Sequence, residues 1–157
     1  MRRYLLGASA LAGALTALAV WAGSGDEPPS LTVMGETVGP AAIELGREVY
    51  AESCASCHGA ELEGQPDWRR RLESGRMPAP PHDETGHTWH HADGQLFTIT
   101  KQGVGAVVPG YESDMPVFEG ILSDEEIIAV LAYIKSTWPE RERAFQAEVT
   151  ANAEEGS

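Results

Sequence analysis

The chain of 157 residues is long enough for one domain with tails, and its hydrophobic content of 42% predicts a packed core. Its 24 acidic and 11 basic residues give a formal net charge of -13. That charge argues against binding of nucleic acid or anionic lipid surfaces, because like charges repel. It favours basic protein partners, or it simply keeps the domain soluble.

The N-terminus has the order of an export signal, since two arginines precede a long stretch without charged residues. The apolar run exceeds the about 7–15 residues usual in a signal peptide and approaches the about 20 needed to span a bilayer. We therefore expect residues 1–23 to act either as an export signal cleaved after Ala22 or as a membrane anchor through residues 4–23. Both alternatives place the remaining chain in the periplasm.

The next segment predicts a linker followed by a helix. Residues 24–39 contain Gly, Pro and acidic residues without helical period, which predicts a flexible linker. A helix is expected to begin at Pro40, because proline suits the first helical position. Small and apolar residues at helical spacing form one face: Ala42, Leu45, Gly46, Val49 and Tyr50. This helix should run into the two cysteines of the chain.

A long loop and a short helix follow the cysteines. Residues 59–92 are expected to form a loop, since the prolines of "MPAPPH" forbid a regular helix. Asp93 is expected to cap a short helix that Gly103 ends. A second loop is expected over residues 103–122.

The last predicted helix begins after Ser123, which has the spacing of a capping box with Glu126. It carries an apolar stripe and ends at Pro139. Residues 140–157 are expected to form a charged tail that is partly helical. The compact domain therefore spans residues 40–139, and its core is thin for so much loop, so another group should fill its centre.

Cys54 and Cys57 are followed directly by His58, and three mechanisms use cysteines at this spacing. A redox dithiol normally follows a strand in a βαβ unit, whereas a helix is expected here. A closed zinc site needs four ligands, and the histidines that could complete it lie further along the chain than in a zinc finger. In the third mechanism each thiol adds to a haem vinyl group and the histidine binds the iron. C-x-x-C-H is typical of this attachment, so we predict one covalent haem c.

Two methionines are candidates for the second axial ligand of the iron. Met77 lies 19 residues after His58, which is a short reach around a macrocycle. Met115 lies 57 residues after His58 and eight residues before the Ser123 cap, so its loop can bring a thioether to the opposite face. We therefore predict Met115 as the ligand, whereas Met77 is expected to pack in the core.

The segment over residues 40–139 resembles the class I, single-haem c-type cytochromes. Gly46, Tyr50 and Cys54 stand at steps of four, as do the glycine, the aromatic residue and the first haem cysteine in the first helix of that family. In that family the glycine lets the last helix cross closely, and an aromatic residue of the last helix packs beside it. Tyr133 in "VLAYIK" matches that aromatic residue.

The resemblance implies a small all-α fold with about three main helices and long loops wrapped around one covalent haem. It implies thioethers at Cys54 and Cys57, with His58 as the proximal and Met115 as the distal iron ligand. It also implies a protein that moves electrons between larger complexes.

The loop between His58 and Gly103 departs from the family pattern. Four of the five histidines lie in "HDETGHTWHH" over residues 82–91. One alternative is a second metal site for an ion such as copper or zinc, held by His87 with His90 or His91 and with Asp83 as an optional further ligand. The alternative that we favour is a loop whose tryptophan and one histidine pack along the haem edge. The arginines of "WRRRLESGR" are expected to form a solvated patch, with one of them available to a haem propionate.

The leading hypothesis is a periplasmic electron carrier that is not an enzyme and that docks on redox partners with basic surfaces. One rival is a ligand sensor in which Met115 does not bind the iron. Another is a haem-binding subunit of an oxidase or reductase complex, with the histidine loop serving metal handling.

Overall fold

The computed structural model describes residues 31–156, and its fold is all-α apart from one short hairpin, which confirms the predicted class. The strands are β1 (Leu31–Val33) and β2 (Glu36–Val38), and the helices are α1 (Pro40–Ser53), α2 (Ala55–His58), α3 (Asp93–Gln102), α4 (Asp124–Thr137) and α5 (Glu140–Glu155). The export signal or anchor predicted over residues 1–23 lies outside the described residues. Within residues 31–156, no helix is long and apolar enough to cross a membrane.

Helices α1, α3 and α4 are the three main helices predicted from the sequence. The capping box of α4 is present, because the Ser123 hydroxyl accepts the Glu126 N–H at 3.2 Å and the Glu126 carboxylate accepts the Ser123 N–H at 2.8 Å. The cap predicted for α3 is wrong. Ala92 takes the capping position without a side-chain bond, and Asp93 is the first helical residue. The Asp93 carboxylate is buried and pairs with Lys135 instead.

Helices α1 and α4 cross in backbone contact at Gly46. A Cβ atom built on Gly46 would lie 1.9 Å from the carbonyl oxygen of Ala129 and 2.9 Å from the Cβ of Tyr133. Only glycine fits this gap, as the family resemblance implied. The rings of Tyr50 and Tyr133 have centroids 5.5 Å apart, which places the expected aromatic pair between the same two helices.

The buried side chains form two clusters, and α4 contributes to both. The first contains Val49, Tyr50, Leu62, Val130, Ile134 and Trp138. The second contains Val33, Leu96, Ile127, Leu131 and Ala132. Helix α4 therefore joins the two parts of the core, which explains why seven of its residues are buried.

The segment predicted as a flexible linker over residues 24–39 holds a β-hairpin in its described part. Strands β1 and β2 pair antiparallel around a turn at Met34 and Gly35. These two residues have left-handed φ angles of 54° and 78°, as a tight two-residue turn requires. Val33 is fully buried among side chains of α3 and α4, and this apolar anchor fixes the hairpin on the domain.

The charged segment predicted over residues 140–157 forms α5 along nearly all of its length. It is not held by an apolar stripe. Gln146 is fully buried, and the ring of Phe145 contacts the ring of Trp89 edge to face with centroids 5.5 Å apart. The Arg143 guanidinium also donates to the carbonyl oxygen of Trp138. Single polar and aromatic contacts therefore hold α5 on the domain.

A buried polar cluster joins the hairpin to α3, α4 and α5. The Lys135 ammonium donates to the two carboxylate oxygens of Asp93 at 2.8 and 3.0 Å and to the carbonyl oxygen of Thr32 at 2.7 Å. The Gln146 amide donates to Asp93 at 2.7 Å, and the Met34 N–H donates to it at 3.0 Å. The side chains of Lys135 and Asp93 are only 6% and 3% exposed. Four elements thus meet at one buried ion pair.

We predict that Lys135→Met lowers the free energy of unfolding by about 3 kcal/mol, because it leaves the Asp93 carboxylate buried without its cation. Chemical denaturation of the purified protein measures the change. The matched control is Lys101→Met, since Lys101 pairs with Asp124 at the surface, where the carboxylate is 61% exposed. That variant should lose less than about 1 kcal/mol. Equal losses in both variants would contradict the prediction.

Candidate functional site

Cys54, Cys57 and His58 lie on a single helical turn. Cys54 ends α1 and precedes α2, and its carbonyl oxygen accepts the N–H groups of Cys57 and His58 at 3.1 and 3.0 Å. Gly59, with a left-handed φ of 84°, ends the turn. Both thiols are free, and Cys54 is partly buried whereas Cys57 is exposed. Helical spacing therefore presents the two sulfur atoms on one side of the chain.

The surroundings of the cysteines bear on the zinc alternative. Burial raises the pKa of the Cys54 thiol to about 11, and the neighbouring Cys57 adds to the shift. The metal-free thiol is therefore protonated near pH 7. In the part of the chain that the structure describes, no group of three or more His, Cys, Asp or Glu side chains is placed to hold a metal ion.

The His58 side chain is buried and oriented by a main-chain carbonyl. Its Nδ1 atom lies 2.8 Å from the carbonyl oxygen of Pro80. Because a carbonyl only accepts, Nδ1 carries the proton and Nε2 keeps its lone pair. Burial lowers the pKa of His58, so the ring is neutral, as a metal ligand requires. A ring nitrogen bonded to a carbonyl is the usual arrangement of a metal-binding histidine. The donor set therefore fits a haem c whose iron binds His58.

The segment that orients His58 is tightly packed on two sides. A Cβ atom built on Gly64 would lie 2.4 Å from the nitrogen of Pro81, and one built on Gly86 would lie 2.1 Å from the carbonyl oxygen of Pro81. Two glycines thus allow the chain to close around Pro80 and Pro81. The sequence predicted only a loop here, because the contact of His58 with Pro80 joins residues 22 positions apart and no local pattern signals it.

Tyr50 connects the helical turn to α1. Its hydroxyl donates to the carbonyl oxygen of Gly59 at 3.0 Å, just after His58. Burial raises the pKa of Tyr50 above its usual value, and nearby Cys54 contributes to the shift. The phenol therefore stays protonated and keeps this hydrogen bond over the ordinary pH range.

Both candidate methionines lie in loops that an ion pair joins. Arg76, which precedes Met77, pairs with Asp114, which precedes Met115. Met77 and Met115 are both partly buried. The structure therefore brings the two loops together, and the choice of Met115 as iron ligand stays a prediction.

A cleft of about 280 Å³ lies between the same two loops. Arg71 and Arg76 line one side, and Tyr111 lines the other. Guanidinium groups in such a cleft are suitable partners for carboxylates such as haem propionates.

The histidine loop is held mainly by aromatic contacts. His87 stacks on Trp68 with ring centroids 5.3 Å apart, and His90 stacks on Trp89 at 3.7 Å. His91 bonds through Nδ1 to the side-chain oxygen of Gln95 at 3.1 Å. Partial desolvation by its packing against the loop lowers the pKa of His87, and the nearby His91, His90 and Arg69 add to the shift. These ring contacts favour a loop held by packing over a second metal site.

Comparison with known proteins gives a family match over most of the described chain. Residues 43–138 match the family model of cytochrome c. The Cbb3-type cytochrome c oxidase subunit CcoP of Rhodobacter capsulatus is 30% identical over 108 residues, which are 68% of this chain and 33% of that protein. A second CcoP sequence from Rhodobacter capsulatus is 28% identical over 109 residues, with the same shares.

The chain spans about a third of the length of the curated relatives that it matches. No solved structure gives a significant match.

We predict that Gly86→Ala lowers the free energy of unfolding by about 1–3 kcal/mol, because the added methyl group overlaps the carbonyl of Pro81. The control is Gly94→Ala, where a Cβ meets no atom within 4 Å. Neither glycine has a left-handed φ, so backbone strain does not separate the variants. Gly94→Ala should be neutral or stabilising by up to about 1 kcal/mol. Denaturant unfolding of both variants measures these changes. An unchanged unfolding midpoint in Gly86→Ala would contradict the close contact between Gly86 and Pro81.

Proposed function

Because the chain belongs to the cytochrome c family, we propose that it is a periplasmic electron carrier with one covalent haem c and not an enzyme in its own right. The observation that supports this most directly is the single turn that presents both cysteines and His58 beside the Pro80 carbonyl. Haem iron supplies the chemistry, since it gains and loses one electron while its ligands stay in place.

Cys54 and Cys57 hold the cofactor through two thioether bonds. Each sulfur bonds to one carbon of a haem vinyl group, and the thiol hydrogen passes to the neighbouring carbon, so no oxidant is consumed. Cys57 is exposed whereas Cys54 is partly buried. The thioether at Cys57 would therefore be the more accessible of the two, and a partner could approach the cofactor from that side.

His58 would bind the haem iron through Nε2, and Met115 would supply the second ligand. Met115 is assigned from its sequence position, 57 residues after His58 and just before the Ser123 cap; the Arg76–Asp114 ion pair holds its loop against the loop of Met77. A thioether ligand raises the reduction potential relative to a second imidazole. With both axial positions filled, the iron does not take up a substrate, which is the condition that a carrier needs.

The redox partners present basic docking surfaces. The chain has 24 acidic and 11 basic residues. Ion pairs such as Arg47–Glu44 and Lys101–Asp124 use equal numbers of both signs, so the net negative charge of -13 is left to attract a basic partner over a distance. Export to the periplasm follows from the N-terminal sequence, either as a soluble protein or with an anchor.

A second candidate is a haem-carrying module of an oxidase complex. The match to CcoP, an oxidase subunit, favours it, since the aligned region covers 68% of this chain. In that case the same haem passes electrons within an assembly instead of between separate proteins.

We predict one covalent haem bound through both cysteines. The holoprotein from an export-competent host should exceed the mass of its processed chain by one haem, and its band should keep haem peroxidase activity after denaturing electrophoresis. A protein with Cys54→Ala and Cys57→Ala should lose both signals. Haem that extracts freely into acidified organic solvent would contradict covalent attachment.

We predict that Met115→Ala removes the sulfur-to-iron charge-transfer band of the ferric protein and opens the iron to carbon monoxide. It should also lower the reduction potential by a measurable part of the about 0.8 V range that axial ligands set. Met77→Ala is the matched control, since Met77 also precedes a proline and is partly buried. It should change none of these signals. A wild-type protein that lacks the sulfur band and binds carbon monoxide readily would favour the ligand sensor instead.

We predict that electron exchange with a basic partner slows as salt rises. The screening length falls from about 30 Å at 0.01 M to about 3 Å at 1 M ionic strength, which removes attraction at a distance. Stopped-flow rates measured over this range test the idea. A rate independent of salt would mean that the acidic residues serve solubility only.

A further inference from the structure

The ring of His82 lies flat against the ring of His58. Their centroids are 4.0 Å apart, and the two planes meet at only 23°. His82 follows two residues after Pro80, whose carbonyl accepts the His58 Nδ1–H. One short segment therefore contacts the His58 imidazole twice, at its edge and on its face.

The His82 ring is itself held in place. Its Nδ1 atom lies 2.8 Å from the hydroxyl oxygen of Thr88, and that hydroxyl donates to the carbonyl oxygen of Pro81 at 3.4 Å. The hydroxyl proton is thus used, so the His82 Nδ1–H is the donor to Thr88. Tyr50 meets the ring edge on, with centroids 6.2 Å apart.

The main chain of His82 is fixed as well. Its N–H donates to the carbonyl oxygen of Leu62 at 2.8 Å, and its carbonyl oxygen accepts the Trp138 indole N–H at 2.6 Å. Both contacts involve residues of the first core cluster. The stacked face is therefore a rigid surface of the core.

We propose that His82 is a positioning residue that sets the plane of the His58 imidazole at the haem iron. The hydrogen bond to Pro80 fixes one atom of the His58 ring, but a ring held at one atom can still tilt. A flat neighbour at stacking distance removes that freedom. The inference rests on the proposed role of His58 as iron ligand, and second-layer contacts of this kind orient metal ligands and tune the metal.

The test compares His82→Leu with His82→Phe in the haem-bound, full-length protein. Leucine fills the space without a planar face, whereas phenylalanine keeps the planar face without the nitrogen atoms. The measurements are the g values of the ferric low-spin signal in electron paramagnetic resonance and the reduction potential. His82→Leu should shift or broaden the g values and displace the potential. His82→Phe should restore wild-type g values.

Wild-type g values in folded His82→Leu would overturn the proposal, as would a phenylalanine variant that is shifted as far as the leucine variant. If His82→Leu yields no haem-bound protein, Thr88→Val decides, because it retains the His82 imidazole but removes the hydrogen bond that orients it. Its g values should then move in the same direction, and wild-type values there would also overturn the proposal. A wild-type protein without an imidazole-ligated low-spin signal would instead disprove the proposed function itself.

Discussion

The backbone contact between α1 and α4 at Gly46 determines how the candidate site is assembled. Beyond the contact, α1 leads directly to Cys54 and His58. Helix α4 leads to Trp138, whose indole N–H donates to the carbonyl of His82, and the ring of His82 lies against His58. The two helices are therefore connected a second time, through His82 and His58. A change in the angle or distance at which the helices cross would shift the His58 ring, which we assign to the iron.

The hairpin and α5 lie outside residues 43–138, the part that matches the family. Both are attached at the same place, the buried ion pair of Asp93 and Lys135. A buried ion pair contributes little net stability compared with apolar side chains, but it is strongly directional. Its hydrogen bonds reach β1 at Thr32 and α5 at Gln146. The domain thus holds the hairpin and α5 by these polar contacts together with apolar ones, among them those of Val33 and Phe145.

The sequence was informative where a short pattern determines structure. Helical period, Pro40 and the Ser123 cap identified the main helices, and the spacing of Cys54, Cys57 and His58 identified the cofactor. The hairpin was missed because a Met-Gly turn is a weak signal beside a linker-like composition. Helix α5 was predicted only as a partly helical charged tail, since its buried residues are the polar Glu142 and Gln146. The role of His82 was not predictable, because contacts distant in sequence place its ring. Whether Met115 or Met77 binds the iron stays a prediction.

The helix crossing also bears on how the chain folds. Gly46 and Ala129 meet although more than eighty residues separate them in sequence. Closing so large a loop loses chain entropy before other contacts compensate, and topologies with distant contacts fold slowly. Under the proposed attachment, a haem tied to Cys54 and Cys57 would give the intervening chain an apolar surface on which to condense. Attachment before the helices cross would then favour closure of this loop.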